Sequence, residues 1–423
     1  MNADLIIFNI GQLMTCRSNG KAKRGGEMRD IGIVDEGAVA IVGENVAAAG
    51  KSDEILSKYR ANNAVDARGR VVCPGFVDPH THIVYAGNRL DEFELKIGGA
   101  DYLEILARGG GIISTVKKTR AADLESLVTE SGRRLDKMLA AGTTTCEIKT
   151  GYGLELETEL KMLRAIEELD QSHPISVVPT FLAAHAVPPE YAGNSDEYVD
   201  LVCREMLPMA WEWYSASHFA AKGVPFFADV FVEKNAFDVE QSRHILEDAK
   251  RLGFALKAHV DEFTNLEGSD MALELGAASI DHLDAISDRE ISRLAASETV
   301  GIITPTVNFN FGSEHFADAR KLIDSGCAIA IATDYNPGSA PCPSQPMSMA
   351  ISCRYQKLLP AEAFSAATIN AAISIGQGNT VGSLETGKRA DLIIFDTKDY
   401  REIVYEFGQC TAADVYVAGK KVK

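Results

Sequence analysis

Two kinds of hydrophobic pattern divide the chain. Toward the ends, short apolar runs are broken by glycine-containing turns, as in "GAVAIVGENVAAAG" (37–50) and "DVYVAGKKV" (414–422). Each reads as a β-hairpin, two strand-length runs joined by a tight turn. The pentapeptide "DLIIF" occurs at 4–8 and again at 391–395, the second time after the turn-rich "GSLETGKRA". These short strands predict one small β-sandwich-like domain built from both termini, residues 1–70 and 373–423, with the long middle inserted between them.

From 71 to 372 the pattern changes. Eight apolar runs of strand length alternate with helical stretches: VCPGFVDPH (72–80), TTTCEIKTG (143–151), PISVVPTFLAAH (174–185), FADVFVE (227–233), FALKAHVDE (254–262), SIDHL (279–283), GIITPT (301–306) and AIAIATD (328–334). Between them "LESLVTESGRRLDKMLAAG" and "TELKMLRAIEELDQ" read as helices. Alternating strand and helix predicts βα units around a parallel sheet. Eight such units over about 300 residues fit an α/β fold of the (β/α)8 (TIM) barrel type with insertions. A doubly wound open sheet is the alternative, but no glycine-rich dinucleotide fingerprint follows the first strand.

The 423 residues are enough for one large domain and a smaller one, and 46% hydrophobic with 24% charged residues is ordinary for a globular protein. A formal net charge of −18 argues against a nucleic-acid partner, which calls for a basic patch. It does not exclude an anionic small molecule, because one pocket arginine can hold a carboxylate. The start, MNADLIIFNIGQLMTC, has no basic n-region, and no apolar run is long enough to span a bilayer, so neither secretion nor a membrane is expected. Eight scattered cysteines without a C-x-x-C pair fit reduced thiols in a cytoplasmic protein.

The candidate chemistry collects at the strand ends. His80 and His82 close the first run, His185 the third, His259 the fifth, His282 the sixth and Asp334 the eighth. Residues i and i+2 of a strand share a face, so the H-x-H pair aims two imidazoles the same way. Alone, such a pair is as well read as polar residues finishing a strand. Five of nine histidines at the ends that form a barrel's active-site face is harder to dismiss. The other four, His173, His218, His244 and His315, fall in helical or loop segments and are expected to be solvated. Three neutral imidazoles and a carboxylate suit one divalent or trivalent ion, zinc or iron, and His80, His82, His259 and Asp334 are the expected ligands. Glu262, three residues past His259, would stand in the cavity as a general base rather than a ligand.

"PGFVDPHTH", "KAHVDE", "SIDHL" and "ATD" resemble the amidohydrolase superfamily over nearly the whole chain, split terminal domain included. "HTHIVYAGNR", "EIKTGYG", "FLAAHAVPPEY" and "TDYNPGSAP" are similar to the branch that opens the ring of 4-imidazolone-5-propanoate to N-formimidoyl-L-glutamate in histidine degradation. The resemblance implies the same four metal ligands and makes Arg89, Tyr152, His185, Glu262, Asn336, Gly338 and Ser339 contacts to an anionic small-molecule substrate. Arg89 would grip the propanoate with a charge-assisted fork, and "YNPGSAP" would present an amide, a hydroxyl and backbone N–H groups. It further implies a homodimer. His282 is expected to help polarise the ring carbonyl, and Glu262 and Asp334 to share the proton traffic of metal-assisted hydrolysis. Lys149 in "EIKTG" resembles a metal-bridging lysine of binuclear members, but with "HVDE" it reads as a supporting residue. Two rivals remain: deamination of a neutral heterocycle, which gives Arg89 nothing to hold, and a catalytically silent metal-binding scaffold.

Overall fold

The structure, a computed structural model, describes residues 1–99, 110–409 and 411–423. The terminal sheet contains β1 (Leu5–Met14), β2 (Ile33–Val42), β3 (Asn45–Lys51), β4 (Asn63–Asp66) and β5 (Val71–Pro74). Eight strands follow in the middle of the chain: β6 (Phe76–Asp78), β7 (Thr143–Lys149), β8 (Ser176–Ala184), β9 (Phe227–Val232), β10 (Ala255–Val260), β11 (Ser279–His282), β12 (Val300–Ile303) and β13 (Ile329–Ile331). The C-terminal segment returns β14 (Leu392–Phe395), β15 (Ala412–Val417) and β16 (Lys420–Lys421) to the first sheet, whose order is β16-β15-β14-β5-β1-β2-β3 with β4 beside β1.

The two "DLIIF" copies explain how this sheet is built. Neither alternates apolar with polar, and each strand is buried on both faces. Leu5 and Ile7 join the sheet's own core while Ile6 packs with Ile55 of the helix Ser52–Lys58. In the second copy Leu392 and Ile394 face that same core, whereas Ile393 and Phe395 face the barrel with Val71 and Cys73. A continuous apolar run is what two-faced burial demands.

Strands β6 to β13 pair in chain order, parallel throughout. Helices separate them, such as Leu124–Ala140, Leu156–Ser172 and Val239–Leu252. The last buries Ser242, Ile245, Leu246 and Ala249, the i, i+3, i+4, i+7 stripe of an amphipathic helix. The first strand expected over 72–80 divides at Gly75: residues 71–74 pair with β14 and β1, and only 76–78 enter the barrel. The wall is therefore thin where β6 meets β13, and side chains close it. Gln345 Nε2 donates to Val77 O (2.8 Å) and to Ile331 O (2.9 Å), and the Asp78 carboxylate accepts from the Thr333 N–H (3.1 Å) and hydroxyl (2.5 Å). Just above, Thr81 and Tyr335 form an isolated parallel bridge.

Inside the barrel, alternate positions climb from apolar to polar or charged, and on β10 on to imidazole. Val178 precedes Thr180 on β8, Phe227 precedes Asp229 on β9, and Ala255, Lys257 and His259 follow one another on β10. Val178 and Phe227 belong to an apolar cluster with Ala371, Ala372 and Ile375, at and just past the helix Ile369–Ser374. No helix among the described residues is long and apolar enough to cross a membrane.

Candidate metal centre and active site

The middle layer is ionic and fully buried. Lys149 Nζ sits 2.7 Å from Glu147 Oε1, 2.7 Å from Asp229 Oδ2 and 3.6 Å from Asp281 Oδ2. Lys257 Nζ donates to Pro79 O at 2.9 Å and lies 3.5 Å from Glu147 and 3.7 Å from Asp281. Burial by itself would lower the Lys149 ammonium; Asp229, Glu147 and Asp281 outweigh it and raise it. Burial by itself would raise Asp229; His259 and Lys149 hold it well below the usual carboxylate range. Lys149 thus supports the site from below, and its ammonium is taken up by three carboxylates.

This layer orients the imidazoles above it. His80 Nδ1 donates to Asp281 Oδ2 (2.6 Å) and His259 Nδ1 to Asp229 (3.1 Å), which turns the Nε2 lone pairs of both rings into the cavity. There His80 Nε2 is 3.2 Å from His82 Nε2, which is 3.4 Å from His259 Nε2. Asp334 Oδ1 lies 3.5 Å from both His80 Nε2 and His82 Nε2. Burial and neighbouring charge push His80 and His82 well below the ordinary histidine range, so they are neutral. Asp334 Oδ1 is buried without a hydrogen-bond partner, and burial raises its carboxyl to about 8.

A cage of this kind, in which the Nε2 lone pairs of His80 and His259 face an unpartnered carboxylate oxygen and His82, whose Nδ1 has no partner either, fits a cation. Ligand atoms of a tetrahedral zinc site with bonds of about 2.0–2.1 Å lie about 3.3 Å apart, the spacing found here. His80, His82 and His259 form one potential ligand group, and His80, His282 and Asp334 another that overlaps it. A third grouping, Cys203 with His244 and Asp248, differs in kind: Asp248 already pairs with Arg251, and burial raises the Cys203 thiol to about 11.

The remaining expected residues surround this cage. Glu262 Oε2 is 3.8 Å from His282 Nε2, whose Nδ1 meets the Thr304 hydroxyl at 3.0 Å. Burial, then Asp334, Asp284 and Glu233, push Glu262 well above the ordinary carboxyl range. His185 stacks on His82 with ring centroids 4.9 Å apart, and burial lowers it to about 3. The Tyr152 ring lies 6.0 Å from His82 and 5.5 Å from His185. Asp261, His282, Leu283 and Asp334 all have positive φ, backbone strain that collects at functional sites.

Three expectations change in detail. Arg89 does not present its whole fork: Nε donates to Glu92 Oε2 at 2.8 Å and Nη2 pairs with Glu92 Oε1. Its Nη1 side packs against Gly338, where any Cβ would stand 1.9 Å from that nitrogen. Asn336 turns inward. Its Oδ1 accepts from the N–H groups of Gly338 and Ser339 (both 2.8 Å), while Nδ2 donates to Asp334 O and the Ser339 hydroxyl (both 2.7 Å). Amide and backbone N–H groups expected to face a ligand are spent on shaping the loop that follows Asp334, as an Asx turn does. His218 is not solvated either: it is half-buried, with Nε2 2.7 Å from Asp170 and Nδ1 3.2 Å from Glu167.

Reading by motif missed Glu147, Asp229, Lys257 and Asp281. The signal was present as polar or charged residues at every second position of strand-like runs, "EIK", "KAH" and "SID", since period two places such residues on the inward face with the imidazoles.

The amidohydrolase family model matches residues 71–422. The imidazolonepropionase of Chloroflexus aggregans is 52% identical over 419 residues, 99% of this chain and 98% of that protein. The imidazolonepropionase of Herpetosiphon aurantiacus is 49% identical, covering 100% of this chain and 98% of its own length. Among solved structures, an adenosine deaminase from Xanthomonas campestris with bound zinc superposes with a TM-score of 0.73 at 18% identity, over 99% of this chain and 93% of that one. A 5-methylcytosine deaminase from Klebsiella pneumoniae gives 0.72 at 14% identity, over 99% and 97%.

Proposed function

We infer the chemistry of the barrel mouth from the premise that the chain belongs to the amidohydrolase family and, within it, sides with the imidazolonepropionases. It is a hydrolase of histidine degradation that opens the cyclic amide of 4-imidazolone-5-propanoate to N-formimidoyl-L-glutamate. The observation that carries this reading is the convergence of the His80 and His82 Nε2 atoms on the unpartnered Asp334 Oδ1, with His259 Nε2 3.4 Å from that of His82. These four groups would hold one zinc or iron ion. When bound, such an ion supplies Lewis acidity, acidifying water and polarising a carbonyl.

The chain's own residues do the rest. Glu262 takes a proton from the attacking water and returns it to the ring nitrogen as the C–N bond breaks. Its raised carboxyl makes the returning half of that cycle favourable. Neutral His282, 3.8 Å from Glu262, donates toward the oxygen that gains charge. Tyr152 and His185 line the ring's seat beside His82. Arg89, held by Glu92, offers its end-on edge, Nη1 and the second Nη2 hydrogen, to the propanoate. An acidic chain needs that local cation to accept an anion.

Metal analysis paired with an absorbance assay on imidazolonepropanoate tests the reading. The purified protein should carry about one ion per chain, and a strong chelator should remove both ion and activity. Full activity in metal-free protein overturns the mechanism, and preferred deamination of a neutral heterocycle overturns the substrate.

A further inference from the structure

We infer that Glu159 is a positioning residue for substrate recognition: it holds the loop 150–154 in the shape that sets Tyr152 at the barrel mouth and turns His185 through Gly151 O. The inference rests on the proposed seat of the substrate beside those two rings.

Glu159 lies in the first turns of the helix Leu156–Ser172 and is fully buried. A carboxylate is expensive to bury unless its lone pairs are filled. Here three backbone N–H groups of the preceding loop fill them: Gly151 donates to Oε2 at 3.0 Å, and Gly153 and Leu154 donate to Oε1 at 2.7 and 2.8 Å. The loop's carbonyls are held from the other side. Arg120 Nε donates to Gly153 O (2.7 Å) and Nη2 to Leu154 O (3.2 Å), and Glu190 anchors that arginine at 2.6 Å. Tyr152 is the residue between the gripped positions. Its hydroxyl makes no hydrogen bond to a described residue, and its ring stands against His82 and His185.

The same loop orients His185. Its Nδ1 donates to Gly151 O at 3.1 Å, which leaves Nε2 as the free lone pair of a neutral ring. The backbone shape is one that few sequences would adopt unaided. Leu154 has φ +52°, and a Cβ at residue 153 would stand 2.8 Å from Glu159 Oε1. A residue serving only to fill space would not need a charge. This carboxylate collects N–H groups that point away from every other partner, and the consequence is where Tyr152 and Gly151 O are set.

The test is a double-mutant cycle on the metal-loaded enzyme, with kcat/KM expressed per metal-loaded site. Glu159→Gln keeps the shape but replaces one acceptor oxygen by a donor group, so kcat/KM for imidazolonepropanoate should fall about tenfold or more. Metal content per folded chain should stay at the wild-type level. In a Tyr152→Phe, His185→Gln background the same substitution should cost about threefold or less, because the polar groups it positions are both gone. An unchanged kcat/KM, or an equal loss in both backgrounds, overturns the inference and leaves Glu159 a structural residue. If Glu159→Gln does not fold, Gly153→Ala crowds the carboxylate from the loop side and is put through the same cycle. A wild-type enzyme that does not open imidazolonepropanoate overturns the substrate reading itself, and this inference with it.

Discussion

Glu262 stands beside the cage without entering it, and that placement separates two of its effects. Its oxygen approaches His282, while the carboxylate that approaches the Nε2 atoms of both His80 and His82 is that of Asp334. Glu262→Gln should therefore leave metal content near normal and lower turnover by about 10² or more, the usual range for a general base. Elemental analysis of the variant beside its kcat checks both halves. The pH profile follows from the same burial. A base works deprotonated, so kcat/KM should fall as pH falls through the Glu262 pKa. Burial, the largest cause, places that limb above the ordinary value of 4.5, and the limb should be lost in the Gln variant. Arg89 acts on a different quantity. With Nε and Nη2 committed to Glu92, Arg89→Met removes one charged edge from the substrate's reach. Charge-assisted hydrogen bonds are worth about 1.5–3 kcal/mol each, so kcat/KM should drop by about tenfold to about 10³-fold. An imidazolone lacking the carboxylate is the control: wild type should handle it as poorly as Arg89→Met handles the natural substrate.

At the level of elements, the barrel closes through side chains where its strands are shortest. Gln345, buried on the helix Gln345–Tyr355, links Val77 O of β6 to Ile331 O of β13. Gln345→Leu keeps the volume and strands both carbonyls in a dry wall. Each unsatisfied buried group costs about 1–3 kcal/mol, so stability in urea should fall by about 2–6 kcal/mol, read as a lower midpoint at unchanged slope. The ionic layer beneath the metal cage is under a harsher constraint. Lys149 faces three carboxylates at 3.6 Å or closer, so Lys149→Met should destabilise the fold by about 3–5 kcal/mol, the range for breaking a buried ion pair. Equilibrium unfolding of the metal-free variant isolates that loss from any change in metal binding.

At the level of the whole molecule, the chain cannot be cut where its pattern changes. The segment 1–70 lacks β5 and β14, and these strands bury Val72, Leu392 and Ile394 in the core that β1 and β2 share. On their other face Val71, Cys73, Ile393 and Phe395 pack on the barrel, so the barrel's stability depends on the chain's two ends. Limited proteolysis should not release residues 1–70 as a stable piece. A protected fragment of that size, seen by mass spectrometry, would count against a shared sheet.

What the sequence determined by itself was set by periodicity and by residue type. Eight strand-length runs separated by helices specified the barrel, and polar residues at their ends specified its working face. The paired "DLIIF" segments marked strands of one domain shared by both ends, and only the structure showed that each is buried on both faces. His80, His82, His259, Asp334 and Glu262 were legible as candidates because few chemistries need those types at strand ends. The tertiary structure decided whatever depends on distance across the barrel. That Asp229 and Asp281 orient His259 and His80, and that Lys149 and Lys257 offset their charge, involves contacts between strands far apart in the chain. The division of 72–80 at Gly75 was invisible because both halves are equally apolar, each for a different neighbour. Arg89 and Asn336 were identified by type, but their hydrogen bonds to Glu92 and to the 338–339 backbone follow from local folding. Periodicity states which face a residue is on; only packing states which partner it meets there.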